Sequence, residues 1–135
     1  MRCLFALVLV VMAGGRAYAS GTYDCFRINA PDAQNRCLAD LKNDPSYCFK
    51  IQAKDLRAAC LAEVRKDVSN CYQIESPQGR NACLGTTRPD HSYCYKVGDA
   101  DQKYACLAKS KADRSYCFKV LDEDLKRDCL ATVPR

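Results

Sequence analysis

Ten of the eleven cysteines in this 135-residue chain fall at Cys25, Cys37, Cys48, Cys60, Cys71, Cys83, Cys94, Cys106, Cys117 and Cys129, with steps alternating between 12 and 11. Thiols can attack as nucleophiles, hold soft metals as thiolates, or pair as disulfides. A nucleophile needs a base within reach. The one histidine, His91, follows Asp90 at an exposed helix start, so no catalytic residue is assigned. Metal ligands on one helix face need spacings of three or four, and the chain has neither C-x-x-C nor C-x-x-x-C, so no metal site or cofactor is assigned. Two facing cysteines kept reduced could still clasp Cu(I), which leaves a thiol-based metal store as an alternative. Disulfides are the favoured chemistry.

The compartment agrees with that choice. Residues 1–19 read as a secretory signal peptide, with basic Arg2, an apolar run from Cys3 to Ala13, and Ala17-Tyr18-Ala19 as the cleavage motif. The run is too short to cross a bilayer, and Ser20 stands where a lipoprotein needs cysteine, so no stable membrane anchor is expected. Cleavage after Ala19 removes Cys3 and leaves an even ten cysteines in a chain bound for the periplasm or the exterior. Loss of Arg2 and Arg16 takes the net charge from +5 to +3. The remaining charges alternate in sign along the chain, which reads as a solvated surface and speaks against nucleic acid as a partner.

The cysteine steps make a 23-residue repeat, five times over, across residues 20–135, with units starting at Cys25, Cys48, Cys71, Cys94 and Cys117. Each first cysteine is followed by an aromatic (Phe26, Phe49, Tyr72, Tyr95, Phe118) and then by Ile28, Ile51, Ile74, Val97 or Val120. Each second cysteine precedes a leucine: Leu38, Leu61, Leu84, Leu107 or Leu130. Aromatic, aliphatic and leucine are expected to make the small core of each unit. Asp44, Asp67, Asp90 and Asp113, each two residues before a serine, read as helix caps. A short helix such as 45–52 should follow, and a second should begin near Pro31, Asp55, Pro77, Asp101 or Asp124 and run through the second cysteine. The expected fold is all-α: tandem αα-hairpin units in a small disulfide-stapled helical solenoid.

Two regular pairings are open. Bridges across the shorter gaps strand Cys25 and Cys129 at opposite ends. Bridges within units use every cysteine and set each pair about equally far from its turn, giving the favoured set Cys25–Cys37, Cys48–Cys60, Cys71–Cys83, Cys94–Cys106 and Cys117–Cys129. The third unit carries Pro77, Gly79, Gly85 and Pro89, so its second helix should be short or poorly formed. Tyr47, Tyr93 and Tyr116 recur just before a cysteine and could form either a binding stripe or packing between units.

The run D-x-S-Y-C-F-K-[IV], followed by C-L-A, resembles the tandem cysteine-rich helical repeats of exported bacterial and archaeal proteins, over Tyr23 to Thr132. The architecture is also similar to Sel1-like and tetratricopeptide solenoids, whose role is to hold other proteins, and to the twin-cysteine hairpins of the mitochondrial intermembrane space. What these resemblances imply is a non-enzymatic exported scaffold that binds another protein or peptide, for instance an envelope inhibitor or immunity-type protein. A secreted basic effector is the further alternative.

Overall fold

The computed structural model describes residues 16–135, with side chains described from residue 21. Most of the leader assigned to residues 1–19, including Cys3, lies outside the described residues. Among the described residues there are six α-helices: α1 (Arg16–Phe26), α2 (Pro31–Lys42), α3 (Lys54–Arg65), α4 (Pro77–Thr87), α5 (Ala100–Lys111) and α6 (Glu123–Thr132). Short 3-10 helices at Cys48–Lys50, Val68–Gln73, Cys94–Lys96 and Arg114–Lys119 take the place of α1 in the later units. Among the described residues the fold is all-helical, and its hairpins pair a short outer element with a long inner helix.

The capping rule explains the outer elements. Asp44, Asp67, Asp90 and Asp113 accept the backbone N–H of Ser46, Ser69, Ser92 and Ser115 at 2.9 to 3.0 Å. The 3-10 helices stop after one or two turns because Ile51, Ile74, Val97 and Val120 take extended backbone and turn inward, at most 3% exposed. The bridges are Cys25–Cys37, Cys48–Cys60, Cys71–Cys83, Cys94–Cys106 and Cys117–Cys129, with Cα atoms 5.5 to 5.6 Å apart. All ten sulfurs are buried and form the centre of each unit's core. A bridge over so short a loop contributes roughly 3 kcal/mol, and five such bridges are the mark of an oxidising environment outside the cytosol. No helix among the described residues is long and apolar enough to cross a membrane.

The five units do not stack into an open array. Helices α2, α3, α4, α5 and α6 each pack on the next, and α6 packs back on α2 and α1. The residue two after each second cysteine shows how neighbours fit. Ala39 packs on the Cys48–Cys60 bridge, Ala62 on Cys71–Cys83, Ala108 on Cys117–Cys129, and Ala131 of the last unit on Cys25–Cys37 of the first. The third such contact in chain order uses Gly85, where an added Cβ would come within 2.7 Å of both Cys94 Sγ and Cys106 Sγ.

A second relation repeats around the circle. Asp32 accepts the N–H groups of Gln52 and Ala53, Asp55 those of Glu75 and Ser76, and Asp101 those of Leu121 and Asp122. Gln78 Oε1 does the same for Gly98 and Asp99. Asp124 completes the set by accepting from Asn29 and Ala30, 95 and 94 residues earlier, at 3.1 to 3.2 Å. The described residues form a closed ring of five helices, α2 to α6, with α1 and the four 3-10 helices outside it.

Two expectations need correction. Helix α4 is intact at 11 residues: Pro77 occupies its first turn, the Ser76 hydroxyl accepts the Gly79 N–H, and Gly85 is small because a disulfide lies against it. The aromatics after the first cysteines are not core. Phe26, Phe49, Tyr72, Tyr95 and Phe118 are 56 to 66% exposed, because the helical turn that buries each cysteine, the end of α1 in the first unit and a 3-10 turn in the others, points its successor outward.

Candidate binding site on the ring axis

Each inner helix turns a single face to the axis, made by the residues four before, one before and three after its second cysteine, a helical stripe. The outer layer of this face is Ala33, Leu56, Gly79, Gln102 and Leu125. The middle layer is Arg36, Ala59, Ala82, Ala105 and Asp128, and the deepest layer is Asp40, Glu63, Thr86, Lys109 and Thr132. Small residues in the middle layer leave the axis unfilled. A cavity of about 680 Å³ opens toward the N-terminal ends of the helices, within the size range of small-ligand pockets.

The floor of this cavity is polar. Arg36 forks onto Glu63, with Nη2–Oε1 at 2.7 Å and Nε–Oε2 at 3.3 Å, and the Thr86 hydroxyl donates to Glu63 Oε1 at 2.8 Å. Lys109 Nζ lies 3.1 Å from Asp40, 3.5 Å from Asp128 and 3.8 Å from Glu63. Burial pushes the Glu63 carboxyl up, but the charges of Arg36 and Lys109, with the hydrogen bonds from Arg36 and Thr86, outweigh it and lower the pKa to about 2. Burial likewise works against the charged forms of Arg36 and Lys109, and their carboxylate neighbours overcome it, raising both. Glu63, Arg36 and Lys109 are thus held in their charged forms, and the cluster seals the cavity from a smaller hollow of about 160 Å³ on the opposite face.

Asp128 differs from its neighbours. It is 4% exposed, its Oδ2 meets Lys109 only at 3.5 Å, and its Oδ1 is buried with no hydrogen-bond partner. An unpartnered buried carboxylate oxygen carries a full desolvation cost. Around the mouth stand Asp55, Asp99, Asp101, Asp122 and Asp124. Asp55, Asp101 and Asp124 are held below the usual carboxylate range, first by the backbone N–H groups of the neighbouring unit.

No protein-family model, characterised protein or solved structure matches this chain. The site is therefore read from its own geometry. Tyr47, Tyr93 and Tyr116 are half-buried, each packed between units, and they do not meet one another. Lys50, Lys96 and Lys119 lie over their rings at 4.7 to 5.0 Å. His91 is exposed and stands edge-on to Tyr95. The axial residues escaped the sequence reading because Glu63 and Asp128 fall among charges that read as solvated. A usable signal was present: five residues before each second cysteine stands Asp32, Asp55, Gln78, Asp101 or Asp124, more regular than a helix start requires.

Proposed function

We propose that the protein is a non-enzymatic, exported scaffold that binds another protein or peptide in the periplasm or outside the cell, after removal of its leader at Ala19. The observation that carries this reading is the girdle of exposed aromatics, Phe26, Phe49, Tyr72, Tyr95 and Phe118, one per unit around the circumference. Aromatic side chains supply much of the binding energy at protein interfaces, and here four of the five are followed by Arg27, Lys50, Lys96 or Lys119. Five rigid, evenly repeated anchors on a stapled frame lose little freedom on binding. An envelope inhibitor or immunity-type protein is the concrete form. A thiol-based metal store would first require reduction of buried bridges, since every cysteine among the described residues is paired.

The test uses the oxidised protein as bait in periplasmic extract, beside a variant with Phe49, Tyr72, Tyr95 and Phe118 all changed to Ser. Exposed positions leave the fold intact, which circular dichroism checks. A partner retained by the parent and lost by the variant supports the reading. Identical captures by both, or none by either, sink it.

A further inference from the structure

The girdle faces outward, whereas the axial cavity faces inward and has a chemistry of its own. Three carboxylates, Asp40, Glu63 and Asp128, surround two cations, Arg36 and Lys109, in the plug. One negative charge is left over. Glu63 is held by Arg36 and Thr86, Asp40 and Asp128 share the single cation Lys109 at 3.1 and 3.5 Å, and of these two Asp128 is the more buried and has an oxygen, Oδ1, with no donor. Above it the walls are apolar, formed by Ala59, Ala82, Ala105, Leu56 and Leu125, and the mouth carries carboxylates while the only basic residues lining the cavity are the engaged Arg36 and Lys109.

We propose that this cavity binds a primary ammonium group carried on an aliphatic stem, the ammonium donating to Asp128 and the stem packing on the alanine and leucine walls. The other ligand classes fit worse. An anion would meet two cations already saturated by Glu63 and Asp40 and would enter past aspartates. A bare metal ion would find Asp128 without companions, for no group of three or more His, Cys, Asp or Glu among the described residues is placed to hold one. A neutral apolar molecule would leave Asp128 Oδ1 unsatisfied. An alkylammonium completes the charge balance, supplies the missing donor and fills the space in one step.

The same ammonium could arrive as a free amine or as a lysine side chain on a partner. Calorimetric titration of the oxidised chain with n-hexylamine, n-hexanol and hexanoate, and with a blocked Ala-Lys-Ala tripeptide, decides the matter. Saturable binding of hexylamine or of the tripeptide is expected, with hexanol and hexanoate about tenfold or more weaker, and the preferred cation identifies the source. Methyl NMR of the unmodified protein should show the shifts at Ala59, Ala82 and Ala105. Asp128→Asn should weaken the amine about tenfold or more, and Ala82→Leu, which fills the cavity and leaves Asp128 in place, should abolish binding. Equal affinity for hexanol, tighter binding of hexanoate, no saturable amine binding, or unshifted alanine methyls would each overturn the proposal. All four of these readouts need no variant, so a poorly folding Asp128→Asn protein leaves the test decisive.

Discussion

Glu63 ties its own helix, α3, to three other inner helices, taking donors from Arg36 on α2 and Thr86 on α4 and lying 3.8 Å from Lys109 on α5. Replacing it by Gln removes the charge and leaves Arg36 without its paired carboxylate in a confined space, which should cost about 3 kcal/mol in denaturant unfolding of the oxidised protein. The pH dependence follows from the lowered pKa. The Glu63 contribution is whole above the ordinary value of 4.5 and disappears as pH falls toward about 2. Unfolding midpoints in the parent should therefore drop across that interval more steeply than in Glu63→Gln; parallel curves would contradict the assigned role. Little of this was legible beforehand. A glutamate three residues after a cysteine looks like any solvated helix charge, and only closure of the ring turns its face inward. The cysteines were legible, because their regular steps leave few regular pairings and a helix hairpin brings the within-unit pairs together.

The inner helices end in different ways, and the differences are testable. Helices α2, α3 and α5 finish on Asn43, Lys66 and Ala112, all with left-handed backbone, φ from 51° to 56°. Asparagine tolerates that conformation and alanine does not, so Ala112→Gly should stabilise the protein by about 0.5 to 1 kcal/mol, seen as a higher melting temperature. Gly85 behaves in the opposite sense. Alanine would normally favour a helix interior, but its Cβ would strike the Cys94–Cys106 bridge, which has no flexible end to move aside. Gly85→Ala should then lower stability by about 1 kcal/mol or more; a rise in melting temperature would show that α4 can shift outward at no cost. The starts of the inner helices were readable to within one residue, whereas the short helix expected over 45–52 is a single 3-10 turn at Cys48–Lys50, cut short by the extended backbone of Ile51. The third unit misled because glycine there reflects a neighbour's sulfur atoms and not weak helix formation, and a neighbour in space leaves no mark in local propensity.

Closure makes one relation in the ring unlike its four counterparts. Asp32, Asp55, Gln78 and Asp101 each hold the loop of the unit that follows, while Asp124 holds the loop of the first unit. Asp124→Ala should release the amides of Asn29 and Ala30 to fast hydrogen exchange and loosen α1 against α6, with the five bridges keeping each unit folded. Asp55→Ala should affect Glu75 and Ser76 alone. If the amides of Asn29 and Ala30 already exchange freely in the parent protein, the ends do not meet in solution. Repeat number and period were plain in the sequence; the angle between successive units was not, since it is set by side-chain volumes such as Ala39, Ala62, Gly85 and Ala108 against the adjoining disulfides. That angle has an evolutionary meaning. An open array can lengthen or shorten by duplication, each new copy simply extending the edge. Here every unit turns the chain by one fifth of a circle, so a sixth copy would have nowhere to stand and a lost copy would leave a gap. Change must come by altering the five existing units in place, which is how one of them could acquire Lys109, another Glu63 and a third Asp128 around a common axis.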